Sequence, residues 1–257
     1  MKWIETVVAK SDEIPLVEEV KLDAHDRPTG VKAIVDKSTM NTICVVKEEN
    51  QIIQHQDVLK EVQKLENYTI RKMKLIDNGT KLLIDLTEQT PRKIALMKDD
   101  MLECGARVVN DYSKTRGLSV QGSGLRLACT NGVTAPIHTR KMQIFAYGTD
   151  EFAPELEAQI EACLNAWVDS AKLIEWANET KVHTKDFIID HIFLPKKHME
   201  SVADKLKDEE SLYTIWNVYT EVITHEIAPN VKTFNVIGLE KRANKILTAT
   251  APKTVLK

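Results

Sequence analysis

Tyr68-Thr69-Ile70-Arg71-Lys72-Met73-Lys74-Leu75-Ile76, Asp77-Asn78-Gly79 and Thr80-Lys81-Leu82-Leu83-Ile84-Asp85-Leu86-Thr87 form the stretch whose reading decides the fold. Two runs rich in strand-forming residues flank Asn-Gly, the dipeptide that supplies the positive φ angles of a tight hairpin turn. The stretch predicts an antiparallel pair of strands. Upstream, Val31 to Asp36 and Thr42 to Lys47 are short β-branched runs around Lys37-Ser38-Thr39-Met40-Asn41, the pattern of a hairpin with a five-residue loop. Between the hairpins the period changes. Val58, Leu59, Val62 and Leu65 share one helical face and Lys60, Glu61, Gln63 and Lys64 another, so one amphipathic helix is expected over Gln56 to Glu66.

Downstream, Met101 to Tyr112 and Leu118 to Thr130 predict two more strands around the turn Ser113-Lys114-Thr115-Arg116-Gly117, with Gly122 and Gly124 marking a bulge or turn. From Glu151 the period is helical. Phe152, Leu156, Ile160, Cys163, Trp167, Ala171 and Ile174 recur at steps of three and four. Thr149 or Asp150 can cap this helix, and Pro154 is tolerated in its first turn. Further helices are expected over Lys185 to Phe193, Lys196 to Lys207, Leu212 to near Pro229, and Leu239 to Leu247. Strands with one early helix, then helices only, make an α+β chain: an antiparallel sheet of hairpins followed by a helical C-terminal part. The expected division is an N-terminal arm over 1–28, closed by a Pro28/Gly30 turn, a strand-rich basic core over 29–148, and a helical part over 149–257 packed on that core.

The 257 residues, 43% hydrophobic and 28% charged, suit an ordinary folded chain. No run approaches the roughly 20 apolar residues that a spanning helix needs. Met1-Lys2-Trp3-Ile4-Glu5 opens no long apolar signal segment, so a cytoplasmic chain without a membrane partner is expected, in the host cytoplasm if virus-encoded. Cys44, Cys104, Cys129 and Cys163 form no C-x-x-C pair and each sits in an apolar run, which predicts buried reduced thiols.

Net charge is −3, yet between Arg71 and Lys141 thirteen Lys/Arg face seven Asp/Glu, a local balance of +6. That asymmetry points to a surface for a polyanion. The candidate phosphate-binding set is Arg71, Lys72, Lys74, Arg92, Lys93, Lys114, Arg116 and Arg126, with Tyr68 and Tyr112 as candidates for stacking on bases. The competing reading is a solvated hairpin surface whose lysines keep sheet edges from aggregating.

Catalytic signatures are missing. Gly122-Ser123-Gly124 lacks the third glycine of a phosphate loop, and no Gly-Lys-Ser/Thr occurs. His225-Glu226 lacks the second histidine of H-E-x-x-H, and Pro195 separates His191 from His198. Asp99-Asp100 and Glu48-Glu49 are adjacent on the chain, and neighbours on a strand point to opposite faces. Cys129, near Asn131 and His138, is the one candidate nucleophile, and its alternation with Leu125 and Leu127 turns it toward a core. The expectation is therefore a protein without catalytic residues, metal or cofactor.

Asn110-Asp111-Tyr112-Ser113, then Gly124-Leu125-Arg126-Leu127-Ala128-Cys129-Thr130-Asn131-Gly132 and Ile137-His138-Thr139, resembles the central block of the phage/plasmid-like domain-of-unknown-function family. Leu212-Tyr213-Thr214-Ile215-Trp216-Asn217-Val218-Tyr219-Thr220-Glu221-Val222-Ile223-Thr224-His225 is similar to its Trp-containing helix, although Asn217 precedes Tyr219 where the family has the reverse order. The resemblance spans Arg27 to Leu247 and implies a fold and a phage or plasmid setting, with no activity attached. The order hairpin, helix, antiparallel strands, long helix is also similar to single-strand-annealing recombinases, which implies an oligomer holding single-stranded DNA in a basic groove. Two functions are expected: a nucleic-acid-binding protein of phage or plasmid type that binds or anneals single-stranded DNA as a homo-oligomer, or a non-enzymatic structural or host-interaction protein that self-assembles.

Overall fold

In the computed structural model the chain is α+β, with antiparallel sheets and helices. Residues 6–7, 13–24, 27–97, 100–113, 117–126, 132–134, 142–143, 152–192, 194–227, 238–239, 242–243, 245–248 and 251–252 are described. The chain forms two compact units, one of 1–90, 105–121 and 140–163, the other of 91–104, 122–139 and 164–257. This differs from the three-part division expected above.

In the first unit, β1 (Thr6–Val7) pairs with β5 (Tyr68–Ile76), and β5 with β6 (Lys81–Glu88). The 105–111 part of β8 (Asp100–Asp111) pairs with β6, from Lys81 opposite Asp111 to Thr87 opposite Gly105. The hairpin that dominated the sequence is present, and its turn places Asp77 at φ 52°, Asn78 at φ 55° and Gly79 at φ 83°. Three successive left-handed residues explain why Asp, Asn and Gly stand there, since these side chains tolerate that region best.

A second sheet, β2 (Val17–Ala24), β3 (Arg27–Asp36) and β4 (Thr42–Lys47), corrects the expected N-terminal arm. Pro28 lies inside β3, opposite Asp23, rather than in a turn. There β3 has a single neighbour, because its pairing with β4 begins at Val31, so the missing N–H of proline costs no ladder bond on that side. Asp36 organises the 37–41 loop by accepting hydrogen bonds from the Ser38 N–H at 2.7 Å and the Ser38 hydroxyl at 2.6 Å.

Helix α1 (His55–Gln63) buries Val58, Leu59 and Val62, as its stripe predicts, and also Glu61, expected on the opposite face, whose carboxylate accepts the Ala153 N–H at 3.0 Å. The long helix α2 (Ala153–Glu179) buries Leu156, Ile160, Cys163, Trp167 and Ile174. At the expected Ala171 the stripe has drifted: Ser170 is fully buried instead, its hydroxyl donating to the Ala166 carbonyl at 2.9 Å. Ala171 sits at the edge of the stripe, half-buried, and Ile174 three residues on is buried again.

In the second unit, β7 (Lys93–Met97) pairs with the start of β8, and β10 (Gly132–Thr134) with β9 (Ser119–Arg126). Ser123, Gly124 and Leu125 pair with Thr134, Val133 and Gly132 without a register shift, so the expected glycine bulge is absent from that ladder. In the first unit β11 (Met142–Gln143) also pairs with β9. The C-terminal part is not helices only. A short ladder of β12 (Lys181–His183) and β13 (Glu209–Ser211) frames α3 (Thr184–His191) and α4 (Lys196–Asp204), and α5 (Leu212–Val222) continues into a π-helical turn over Ile223–Ile227. Three-residue strands carry too little alternation to register as strands. The Ser211 hydroxyl caps α5 by accepting from Thr214 N–H at 3.1 Å, and Trp216, Tyr213 and Tyr219 fill the core on its inner face.

Gly117 tests the packing of the first unit. A Cβ there would fall 2.5 Å from the Asp111 carbonyl oxygen and 3.3 Å from Asn110 Oδ1. Gly117→Ala is expected to cost about 1–3 kcal/mol, the usual range for overpacking against backbone. A urea midpoint unchanged from wild type would show that this approach relaxes freely.

Candidate nucleic-acid interface

The basic set is divided by the fold. Arg71, Lys72 and Lys74 lie on β5 of the first unit; Arg92 and Lys93 belong to the second. Lys114 and Arg116 lie outside the described residues, and Arg126 closes β9. Arg92 donates from Nη1 to Asn165 Oδ1 at 2.7 Å, which commits that guanidinium to α2.

On β5, Ile70 pairs with Leu86 and Lys72 with Asp85, leaving Arg71 as an extra residue in a bulge. Bulges re-aim side chains and twist the strand, and Arg71 and Lys72 are both exposed. Lys72, Asp85 and Arg107 form one cross-strand row of two cations and one anion. Asp85 is engaged by Arg107, with Nε to Oδ1 at 2.6 Å and Nη2 to Oδ2 at 3.2 Å. Lys72 makes no ion pair among the described residues, so the row keeps a net positive charge. Lys74 lies two residues further on the same face, about 7 Å away at strand spacing. At the hairpin end Lys81 is held by Asp77 and lies 4.0 Å from Asp111.

Tyr68, at the start of β5, lines a cleft of about 710 Å³ with Glu88, Glu157 and Glu161. Three carboxylates repel phosphate, so the cationic strip begins only at Arg71.

Tyr112 corrects the stacking expectation. It is 1% exposed, in a cluster with Val17, Ile34 and Val46, and offers no face to a base. Its ring stacks instead on His55, centroids 3.9 Å apart, and its hydroxyl accepts the His55 backbone N–H at 2.9 Å. His55 Nε2 lies 2.9 Å from the Gly79 carbonyl, while Nδ1 lies 2.9 Å from Asn110 Nδ2. An amide N–H can only donate and a carbonyl only accept, which assigns the proton to Nε2 of a neutral imidazole. Asn110 Nδ2 also donates to the Ile53 carbonyl at 2.8 Å. Periodicity could not expose this node, because its members come from a helix start, a turn and a strand end.

Among the described residues no candidate nucleophile emerges. Cys104 and Cys163 are buried and Cys44 half-buried; burial pushes Cys163 to about 11, and burial followed by the Asp111 charge does the same for Cys44. Cys129 and His138 lie outside the described residues. Among the described residues no group of three His, Cys, Asp or Glu is placed to hold a metal, and no helix is long and apolar enough to cross a membrane.

The chain matches no protein-family model, no curated protein and no solved structure. Of the residues that carry the phage/plasmid-like resemblance, Asn110 and Tyr112 sit in the His55 node and Leu212, Tyr213, Ile215, Trp216 and Tyr219 in the core face of α5. They are residues of packing.

Burial lowers His55 to about 4, against smaller opposing effects of the Gly79 carbonyl and the Asp111 charge. The unfolded chain protonates near the usual 6.5, so this stability is present above that pH and lost as pH falls toward 4, at about 1.4 kcal/mol per pH unit. The total is on the order of 3 kcal/mol. Urea titrations at steps from pH 7 to pH 4 should show this loss, and His55→Gln should flatten it. An equal slope in both proteins would contradict a neutral His55.

Proposed function

We propose that the chain is a non-enzymatic nucleic-acid-binding protein of phage or plasmid type that grips single-stranded backbone through Arg71, Lys72 and Lys74. The observation that supports it is the excess cation of the Lys72, Asp85, Arg107 row beside the bulged Arg71. Binding is electrostatic: phosphates displace condensed counterions along β5, with no bond made or broken. Three phosphate contacts on single-stranded DNA give a log–log salt slope of about −2. Filter binding of a labelled single-stranded oligonucleotide at about 50 mM salt and micromolar protein tests it, since phosphate contacts are strongest at low salt. Wild type should be retained with that slope, and Arg71→Glu/Lys72→Glu, at two exposed positions, should lose retention. Absent retention by wild type, or retention unchanged in the double variant, removes the proposal.

A self-assembling structural protein is the second reading, supported by the three-stranded sheet. Val20, Ala33 and Val45 stand directly opposite one another on one face, with Val20 38% and Val45 53% exposed. Ala33 between them is buried, so the exposed part of the row is the two valines, and exposed apolar side chains gathered on one face favour an interface. Light scattering should show an oligomer that Val45→Lys dissociates; a monomer in both proteins rejects this reading and the homo-oligomer with it.

A further inference from the structure

Helices α3 and α4 enclose a groove of about 570 Å³, within the range of roughly 300–1,000 Å³ typical of small-molecule sites. Its frame follows from local structure. Pro195 opens α4 at φ −54°, and the Thr184 N–H donates to the Asp208 carbonyl at 2.9 Å, tying the start of α3 to the chain beyond α4. The adjoining ladder sets His183 opposite Glu209.

The lining is mainly apolar, with Ile188, Leu194, Met199 and Leu206. Ile189, also in the wall, is 70% exposed and extends the apolar surface of the groove. Lysines 185, 196 and 207 rim the groove against Glu200 and Asp208, and Glu200 is engaged by Lys196 at 3.8 Å. Lys185 and Lys207 make no ion pair among the described residues. Thr184, 3% exposed, forms part of the wall, and its hydroxyl has no hydrogen-bond partner among the described residues. An orphaned hydroxyl is unfavourable, and rotation about χ1 offers it to an oxygen entering the groove.

We propose that this groove binds an amphipathic carboxylate, an unbranched acyl chain lying along Ile188, Ile189, Leu194 and Met199 with its carboxylate at Lys185 and Lys207. The thioether of Met199 adapts to a flexible chain, and the lysine stems extend the apolar wall while their charges stay in water. Charge complementarity chooses the occupant: a cation of the same chain length meets the same wall and the wrong rim.

Titration calorimetry of the full chain with dodecanoate, below its micelle threshold, tests the site beside dodecyltrimethylammonium. Dodecanoate should bind with one-to-one stoichiometry and the cation at least tenfold more weakly. Ala203→Trp, at an exposed position of α4 that lines the groove, should abolish binding by filling it. Lys185→Glu/Lys207→Glu should weaken the anion tenfold or more and improve the cation. No heat with dodecanoate, equal affinity for both detergents, or affinity unchanged in Ala203→Trp each overturns the proposal. Self-association that Ile189→Asp abolishes would overturn it too, in favour of a second copy of the chain.

Discussion

The first unit depends on the neutral imidazole of His55. It is fully buried at the start of α1, donates to the β5–β6 turn through Gly79, accepts from Asn110 near the end of β8, and stacks on Tyr112. Each of these polar groups is out of water, and leaving any one unpaired costs about 1–3 kcal/mol. One ring therefore fixes the position of a helix start, a hairpin turn and a strand end together. Gly117 belongs to the same constraint, since only a residue without a Cβ lets the returning chain lie against the Asp111 carbonyl. Acid acts on this point directly, because the node accepts no second proton on the ring without losing the Asn110 bond.

Charge on the main sheet follows from strand pairing more than from local composition. The thirteen cations between Arg71 and Lys141 look like a surplus along the chain. Folding spends several of them within the protein: Arg107 on Asp85, Lys81 on Asp77, Arg92 on Asn165. The candidate interface is a short strip on β5, where a bulge sets Arg71 beside Lys72, and Lys72 makes no ion pair among the described residues. Such a strip suits a few phosphates at low salt rather than a long groove, and its reach is limited at one end by the carboxylates around Tyr68.

The second unit is organised by apolar burial. Trp216, Tyr213 and Tyr219 lie inward on α5, α4 packs on α5, and α3 on α4. The outer side of α3 is left with Ile189 in water beside lysines.

Elements with strong local chemistry were legible in the sequence. The Asp77-Asn78-Gly79 turn, the β3–β4 hairpin with its five-residue loop, the α1 stripe and the long α2 all follow from left-handed turn residues and from periods of two or 3.6. Other elements were not. Val17–Ala24 mixes Val20 and Leu22 with charges, and became a strand only because β3 lies beside it. The short β12 and β13 exist only as each other's partner. For the candidate site, the sequence named the cations and the tertiary structure sorted them. Residue type determined where positive charge could reside; cross-strand pairing decided which charges are already answered. Tyr112 shows the difference most clearly, because an aromatic ring stacks equally well on a base or on a buried imidazole, and only the fold brings His55 to within 3.9 Å of it.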